Sequence, residues 1–157
     1  MCDNNKPKHY LIRVGDGKNF RNSRYPFWGI KRGRGGSVKT IVNNFNKGDI
    51  LWFITPKLYG GKIIGMGEYT EYYDRADEPL IPIHTYSNSE QCWDGEELWD
   101  IQIHYKNLYN TEKQNIQVVI QCAGNILKYD TFKDRGLPDL YYHYDNFKFY
   151  AEPKYTI

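Results

Sequence analysis

The cysteines and histidines are the residues of this sequence whose side chains most often hold metals or take part in catalysis. The cysteines are Cys2, Cys92 and Cys122, and the histidines are His9, His84, His104 and His143. An odd number of cysteines without a Cys-x-x-Cys pair argues against a disulfide framework and against a zinc site. The histidines have no metal-ligand spacing with a cysteine pair. The sequence therefore predicts no bound metal and no cofactor, and it favours a reducing compartment.

A catalytic constellation is difficult to assemble from the same residues. His84 and His104 invite comparison with phosphoesterases that use two histidines, but those enzymes need Thr or Ser two residues later, where this chain has Tyr86 and Lys106. Cys92 is a candidate thiol nucleophile, although a small buried cysteine is the more common role of this residue type. We therefore expect a protein that binds another molecule and does not catalyse a reaction.

The composition restricts the kinds of molecule that the protein is expected to bind. Aromatic residues make up 17% of the chain, with 15 Tyr, 7 Phe and 4 Trp, a bias that favours strands, half-buried surfaces and binding sites. The net charge is only +2, which argues against a general nucleic-acid coat, so a polyanion would have to meet a local patch. No apolar run approaches the roughly 18 residues of a membrane span, and we expect a cytosolic or nuclear monomer without membrane contact.

The hydrophobic pattern predicts one mixed α/β (α+β) domain over residues 1–157, with a flexible start at residues 1–8. Strands are predicted over residues 9–14, 25–30, 49–55, 62–69, 98–105 and 116–122. The third and fourth of these flank a loop and form the most secure hairpin. A short helix with Ser37 as its N-cap precedes them. Residues 18–24 are polar and irregular, and residues 127–157 have too weak a period to assign.

Five segments, in this order and spacing, carry a resemblance to a known family. They are YLIR at 10–13, YPFW at 25–28, GDILWFIT at 48–55, GKIIGMGE at 61–68 and WDGEELWDIQI at 93–103. The set, which covers residues 9–110, resembles the PUA-like group that contains the YTH and EVE domains. The resemblance implies a small twisted β-barrel flanked by short helices. It also implies recognition of a modified base, such as N6-methyladenine, in RNA or in single-stranded or flipped-base DNA.

The resemblance assigns base-binding roles to particular residues. Trp28 and Trp93 would be two walls of an aromatic cage, because a methylated base loses hydrogen-bonding capacity but keeps its π-face. Asn19 would bind a base edge through its amide. It lies nine residues before Trp28, one residue closer than the corresponding residue of YTH domains. Tyr86 lies in the region where a third cage aromatic is expected.

A local basic patch surrounds Trp28 in the sequence. Its members are Arg24, Lys31, Arg32, Arg34 and Lys39. The glycines among them let backbone amides approach phosphate, and each cation that meets a phosphate adds salt-sensitive affinity. The patch therefore predicts contacts to the nucleic-acid backbone.

Plainer interpretations stay open beside these. The two tryptophans can be core residues, the basic segment a solvated loop, and Asn19 a turn residue. Two other functions also stay open. The first is an enzyme that processes nucleotides or nucleic acid in the same cleft, with Lys18, Asp16 and His84 as titratable candidates. The second is a protein-interaction domain that uses the tyrosine-rich tail.

Overall fold

Residues 6–75, 87–120, 124–150 and 152–153 are described by the structure, a computed structural model. The strands are β1 (His9–Arg13), β2 (Phe27–Ile30), β3 (Ile50–Ile54), β4 (Ile63–Asp74), β5 (Ile101–Asn110), β6 (Ile126–Lys128) and β7 (Glu152–Pro153). The helices are α1 (Lys18–Asn22), α2 (Ser37–Asn43), α3 (Asn88–Gln91), α4 (Tyr129–Phe132) and α5 (Leu140–Tyr150).

The strands form one curled sheet in the order β2-β5-β4-β3-β1-β6, with β7 added to β5. The pair β1 and β3 is parallel, and the other pairs are antiparallel. The six main strands make a half-barrel with short helices beside it. The predicted mixed α/β class is confirmed in this form.

The central strands are buried on both faces of the sheet, which explains why they appear in the sequence as continuous apolar runs. In β3, Leu51 and Phe53 belong to one core cluster, while Ile50, Trp52 and Ile54 belong to another. The alternation follows from the two-residue period of a strand. The sheet therefore separates two hydrophobic cores.

Different helices cover the two faces. The first core includes Phe20 of α1 and Val42 of α2, and the second includes Leu140 and Phe147 of α5. A Cβ on Gly65 would lie 2.9 Å from the Phe20 ring, so this glycine lets α1 pack directly on the sheet. The first core also contains the two tryptophans that the sequence singled out.

The predicted hairpin is confirmed, since β3 and β4 pair antiparallel with a bulge between Phe53 and Ile54. The predicted helix is also present, but Gly36 is its N-cap and Ser37 its first residue. Two expectations were wrong. Residues 18–24 are not irregular, because α1 forms at Lys18–Asn22, and residues 116–120 form no strand, only an isolated bridge between Lys62 and Gln117. Residues 121–123 of that expected strand lie outside the described residues.

At both ends the structure describes residues that the sequence pattern predicted to be flexible or left unassigned. At the start, the Lys8 backbone N–H donates to Asp49 Oδ1 at 3.0 Å, and the Lys8 carbonyl accepts from Ile50 at 2.9 Å. The unassigned tail supplies β6, α4, α5 and β7. Among the described residues, no helix has the length and hydropathy needed to cross a membrane.

Candidate functional site

An aromatic cavity of about 380 Å³ lies beside the β2–β5 pair and the segment that follows α3. Three aromatic side chains, Phe27, Trp93 and Trp99, line it, and we call it the aromatic cavity. Its rim carries charges of both signs, from Arg75, Glu96 and Glu97. The volume lies within the range of small-ligand sites, which are typically apolar with a few polar groups.

The short helix α3 positions Trp93. Ser87 and Glu90 form a reciprocal capping box at its start, with Ser87 Oγ accepting from the Glu90 N–H at 3.1 Å. The Gln91 side chain, which is fully buried, bonds the backbone just before and within β2: its Oε1 accepts from the Tyr25 N–H at 2.6 Å, and its Nε2 donates to the Phe27 carbonyl at 3.1 Å. This amide fastens α3 to β2.

Trp28 and Trp93 contact each other directly. Their ring centroids are 5.2 Å apart with an interplanar angle of 65°, an edge-to-face arrangement. They are 9% and 7% exposed. A base stacked between two rings would need parallel faces separated by two stacking distances, and this pair has neither. The two rings therefore do not face each other across a slot, as two cage walls would.

Each tryptophan has a different neighbourhood. Trp28 packs edge-to-face with Phe20 in the first core, at a centroid distance of 6.1 Å. Trp93 packs against Phe27 at 5.4 Å and lines the aromatic cavity, while its indole N–H donates to Ser23 Oγ at 2.7 Å. Trp28 therefore stands behind Trp93, which is the ring that borders the cavity.

Asn19 holds the segment after Trp93. Its Oδ1 accepts from the Asp94 N–H at 2.9 Å, and its Nδ2 lies 3.5 Å from the Asp94 carbonyl. Lys18 forms an ion pair with the Asp94 carboxylate at 2.7 Å, which raises the pKa of Lys18. The structure thus shows Asn19 bonded to the protein backbone. Tyr86, the predicted third aromatic, lies outside the described residues, as does His84.

Trp99 is the cavity residue that the sequence analysis did not select. A Cβ built on Gly29 would lie 2.5 Å from Trp99 Cγ, so the glycine lets this ring lie directly against β2. The Trp99 indole N–H is buried and has no hydrogen-bond partner within the described part of the chain. Two features of the sequence could have indicated Trp99: the glycine in β2 and the second tryptophan within the segment at 93–103.

The predicted phosphate-binding cations divide into two groups. Arg32 and Lys39 both bond the carboxylate of Asp74, Lys39 Nζ at 2.7 Å, and the Asp74 side chain is only 1% exposed. The Arg32 backbone N–H also donates to Asp100 Oδ2 at 2.9 Å. These two cations therefore compensate a buried negative charge, a role that the local sequence did not indicate because Asp74 lies far along the chain.

The other three basic residues lie at the surface. Lys31 pairs with Glu97 at the cavity rim, an interaction that raises the pKa of Lys31, and both side chains are about half exposed. Arg24 lies over the Tyr25 ring, 5.7 Å from its centroid. Arg34 is exposed and has no ion-pair partner within the described ranges. These three cations are the ones that an approaching phosphate can reach.

The catalytic candidates do not form a shared site. Cys92 is exposed, contrary to the expectation of a buried cysteine, and it occupies a left-handed turn with φ of 64° at the end of α3. Asp16 accepts a hydrogen bond from the Lys18 backbone N–H at 2.9 Å. His104 stacks on Phe27 at a centroid distance of 5.3 Å. Within the described residues, no group of three or more His, Cys, Asp or Glu side chains could hold a metal ion.

Neither a known protein-family model nor a curated protein matches this sequence.

Proposed function

We propose that this chain is a non-catalytic module that binds a modified base, such as N6-methyladenine, in RNA or in single-stranded or flipped-base DNA. The observation that carries the proposal is the aromatic cavity, in which Phe27, Trp93 and Trp99 meet around about 380 Å³. An unpaired base can enter such a cavity without being reached inside a duplex. The PUA-like assignment is part of the proposal, and the curled half-barrel supports it.

The cavity suits a base that has lost hydrogen-bonding capacity. Its aromatic walls offer π-faces and apolar contact, which favour an added methyl group over a bare amino group. Trp93 and Trp99 are the stacking walls, and Trp28 supports Trp93 from behind. The indole N–H of Trp99, which has no partner in the described part of the chain, is a donor for a ring nitrogen of the base if the Trp99 ring turns on binding.

The surface cations contact the strand that carries the base. Lys31 is the nearest to the cavity, because its partner Glu97 lies on the rim. Exposed ion pairs contribute little to stability, so Lys31 can exchange Glu97 for a phosphate at small cost. Arg24 and Arg34 add further contacts. Arg32 and Lys39 stay with Asp74 and shape the surface.

The proposal is tested by titrating the protein with two single-stranded oligonucleotides that differ only in one N6-methyladenine, at physiological salt. The modified strand should bind at least about fivefold more tightly, since a favourable aromatic contact is worth about 1–3 kcal/mol per base. Trp99→Ala should remove that preference. Tyr59→Ala, which removes an exposed aromatic ring on the β3–β4 turn, is the control and should keep it. Equal binding of the two strands, repeated with modified cytosines, would show the proposal to be wrong.

A further inference from the structure

A second cavity, a groove of about 990 Å³, lies between α2 and the β6–α4 segment. It shares no lining residue with the aromatic cavity. It lies towards the β6 edge of the sheet, whereas the aromatic cavity lies beside β2 at the other edge. We call it the amide groove, because several asparagines line it.

One wall of the amide groove is apolar. Ile41 of α2, Leu127 of β6 and Phe132 of α4 contribute to it. Three exposed polar side chains, Asn46, Asn125 and Thr131, also line the groove, and within the described residues none of them has a hydrogen-bond partner. The groove therefore combines a surface for a flat ring with unused donors and acceptors.

The charged side chains that line the amide groove are basic. Lys8 and Lys128 line it without ion-pair partners in the described ranges, and none of its described lining residues is acidic. The nearby Asp49 carboxylate accepts at Oδ1 from the Lys8 backbone N–H at 3.0 Å and at Oδ2 from the Asn46 backbone N–H at 2.8 Å. Because neither ammonium group forms an ion pair with it in the described ranges, both can contact an anion.

Tyr10 adds a hydroxyl to the same groove. The residue is 2% exposed, its ring packs on Phe45 at a centroid distance of 4.4 Å, and its hydroxyl has no hydrogen-bond partner in the described part of the chain. Burial raises the pKa of Tyr10 to about 12, with smaller contributions from the negative charges of Asp49 and Asp130. The phenol therefore keeps its proton at neutral pH and can both donate and accept a hydrogen bond.

We propose that the amide groove binds a nucleoside phosphate, either free or as one unit of a nucleic-acid strand. Lys8 and Lys128 take the phosphate, the amides of Asn46 and Asn125 bond the base and the sugar, and the apolar wall receives the base. A metal cation lacks carboxylate ligands there, and a purely apolar ligand would leave the phenol and the amides without hydrogen bonds to it. The site is separate from the modified-base cavity and does not depend on it.

The test is calorimetric titration of the full chain with AMP, adenosine, inorganic phosphate and an unmodified single-stranded oligonucleotide. AMP should bind at least about tenfold more tightly than adenosine or phosphate. Adenosine lacks the phosphate contacts, and phosphate lacks the contacts of the base and the sugar. An oligonucleotide that binds more tightly than AMP, and that loses this affinity in Asn125→Asp, identifies the strand as the ligand of the amide groove, and the reverse order identifies the free nucleotide. If neither AMP nor the oligonucleotide binds, the proposal is wrong.

Substitutions test whether AMP binds in the amide groove. Thr131→Trp fills the amide groove, and Asn125→Asp places a like charge beside the phosphate, so each should weaken AMP binding about tenfold or more. The Asn125 side chain is exposed, so Asn125→Asp should fold even if Thr131→Trp does not. Lys57→Gln, which changes an exposed lysine on the β3–β4 turn, is the matched control and should bind AMP normally. Unchanged AMP binding in Asn125→Asp places the ligand elsewhere and overturns the proposal.

Discussion

The indole N–H of Trp93 donates to the hydroxyl of Ser23 at 2.7 Å, and both residues are buried. Ser23→Ala leaves that N–H without its acceptor, which should lower the free energy of unfolding by about 1–3 kcal/mol. Chemical denaturation measures this change. Ser37→Ala, which removes an exposed hydroxyl, is the control and should change stability by less than about 0.5 kcal/mol. Equal losses in the two variants would contradict the assigned role of Ser23.

Gly29→Ala should displace Trp99, because the new Cβ would lie 2.5 Å from Trp99 Cγ and the aromatic ring has to move. We expect a loss of about 1–3 kcal/mol of stability, as for other overpacked sites. The melting temperature and the affinity for the modified oligonucleotide should both decrease. Gly67→Ala is the matched control within the sheet, since its Cβ would meet only an ordinary contact, Leu108 Cδ1 at 3.4 Å. If both glycine variants keep the melting temperature and the affinity of the original protein, the position of Trp99 does not depend on Gly29.

Asp74→Asn should destabilise the fold, because it leaves Arg32 and Lys39 facing each other without the carboxylate between them. We expect a loss of about 2–4 kcal/mol, at the lower end because both cations are partly exposed. If the proposed function is correct, the released cations should also strengthen oligonucleotide binding and steepen its salt dependence. Asp134→Asn, an exposed carboxylate, should change neither stability nor the salt dependence.

His9 should make the protein less stable in acid. Its Nδ1 accepts from the Trp52 indole N–H at 2.9 Å, and burial lowers its pKa from 6.5 to about 4. Above pH 6.5 the ring is neutral in both states, whereas between pH 6.5 and 4 only the unfolded chain takes up the proton. Stability should therefore fall by about 3 kcal/mol over that interval and level off below it.

The control for this prediction is His9→Gln, which retains an acceptor for Trp52 but cannot be protonated. Denaturant unfolding at pH 7 and at pH 4 should show a smaller difference for the variant than for the unmodified protein. Asp130 and Asp145 act on His9 in the opposite direction, so their replacement by Asn should enlarge the acid loss. An identical pH dependence in His9→Gln would remove His9 as its cause.

The central sheet was accessible from the sequence because each buried strand is a continuous apolar run. The run at 49–55 gave β3, and the run at 62–69 gave the first part of β4. The continuation of β4 to Asp74 was missed, because its polar residues lie on a half-exposed surface that breaks the apolar pattern. Helix α1 was missed for a related reason, since Phe20 is its single buried residue and one residue shows no period.

The candidate site was harder to predict, because long-range partners decide the role of each residue. Trp93, which the resemblance predicts as a cage wall, lines a cavity, but its contact with Trp28 depends on how α3 folds back onto β2. The ion pairs of Arg32 and Lys39 with Asp74 join positions more than 30 residues apart. Local spacing contains no information about such pairs.

The position of β1 has a consequence for the order in which the chain is made. Its residues pair with β3, which follows about 40 positions later, and with β6, which follows more than 110 positions later. A ribosome therefore releases β1 long before its second partner, and one edge of this apolar strand stays unpaired for most of synthesis. We expect nascent chains that end before Ile126 to aggregate or to recruit a chaperone, because one edge of the apolar strand β1 stays unpaired until β6 has been made.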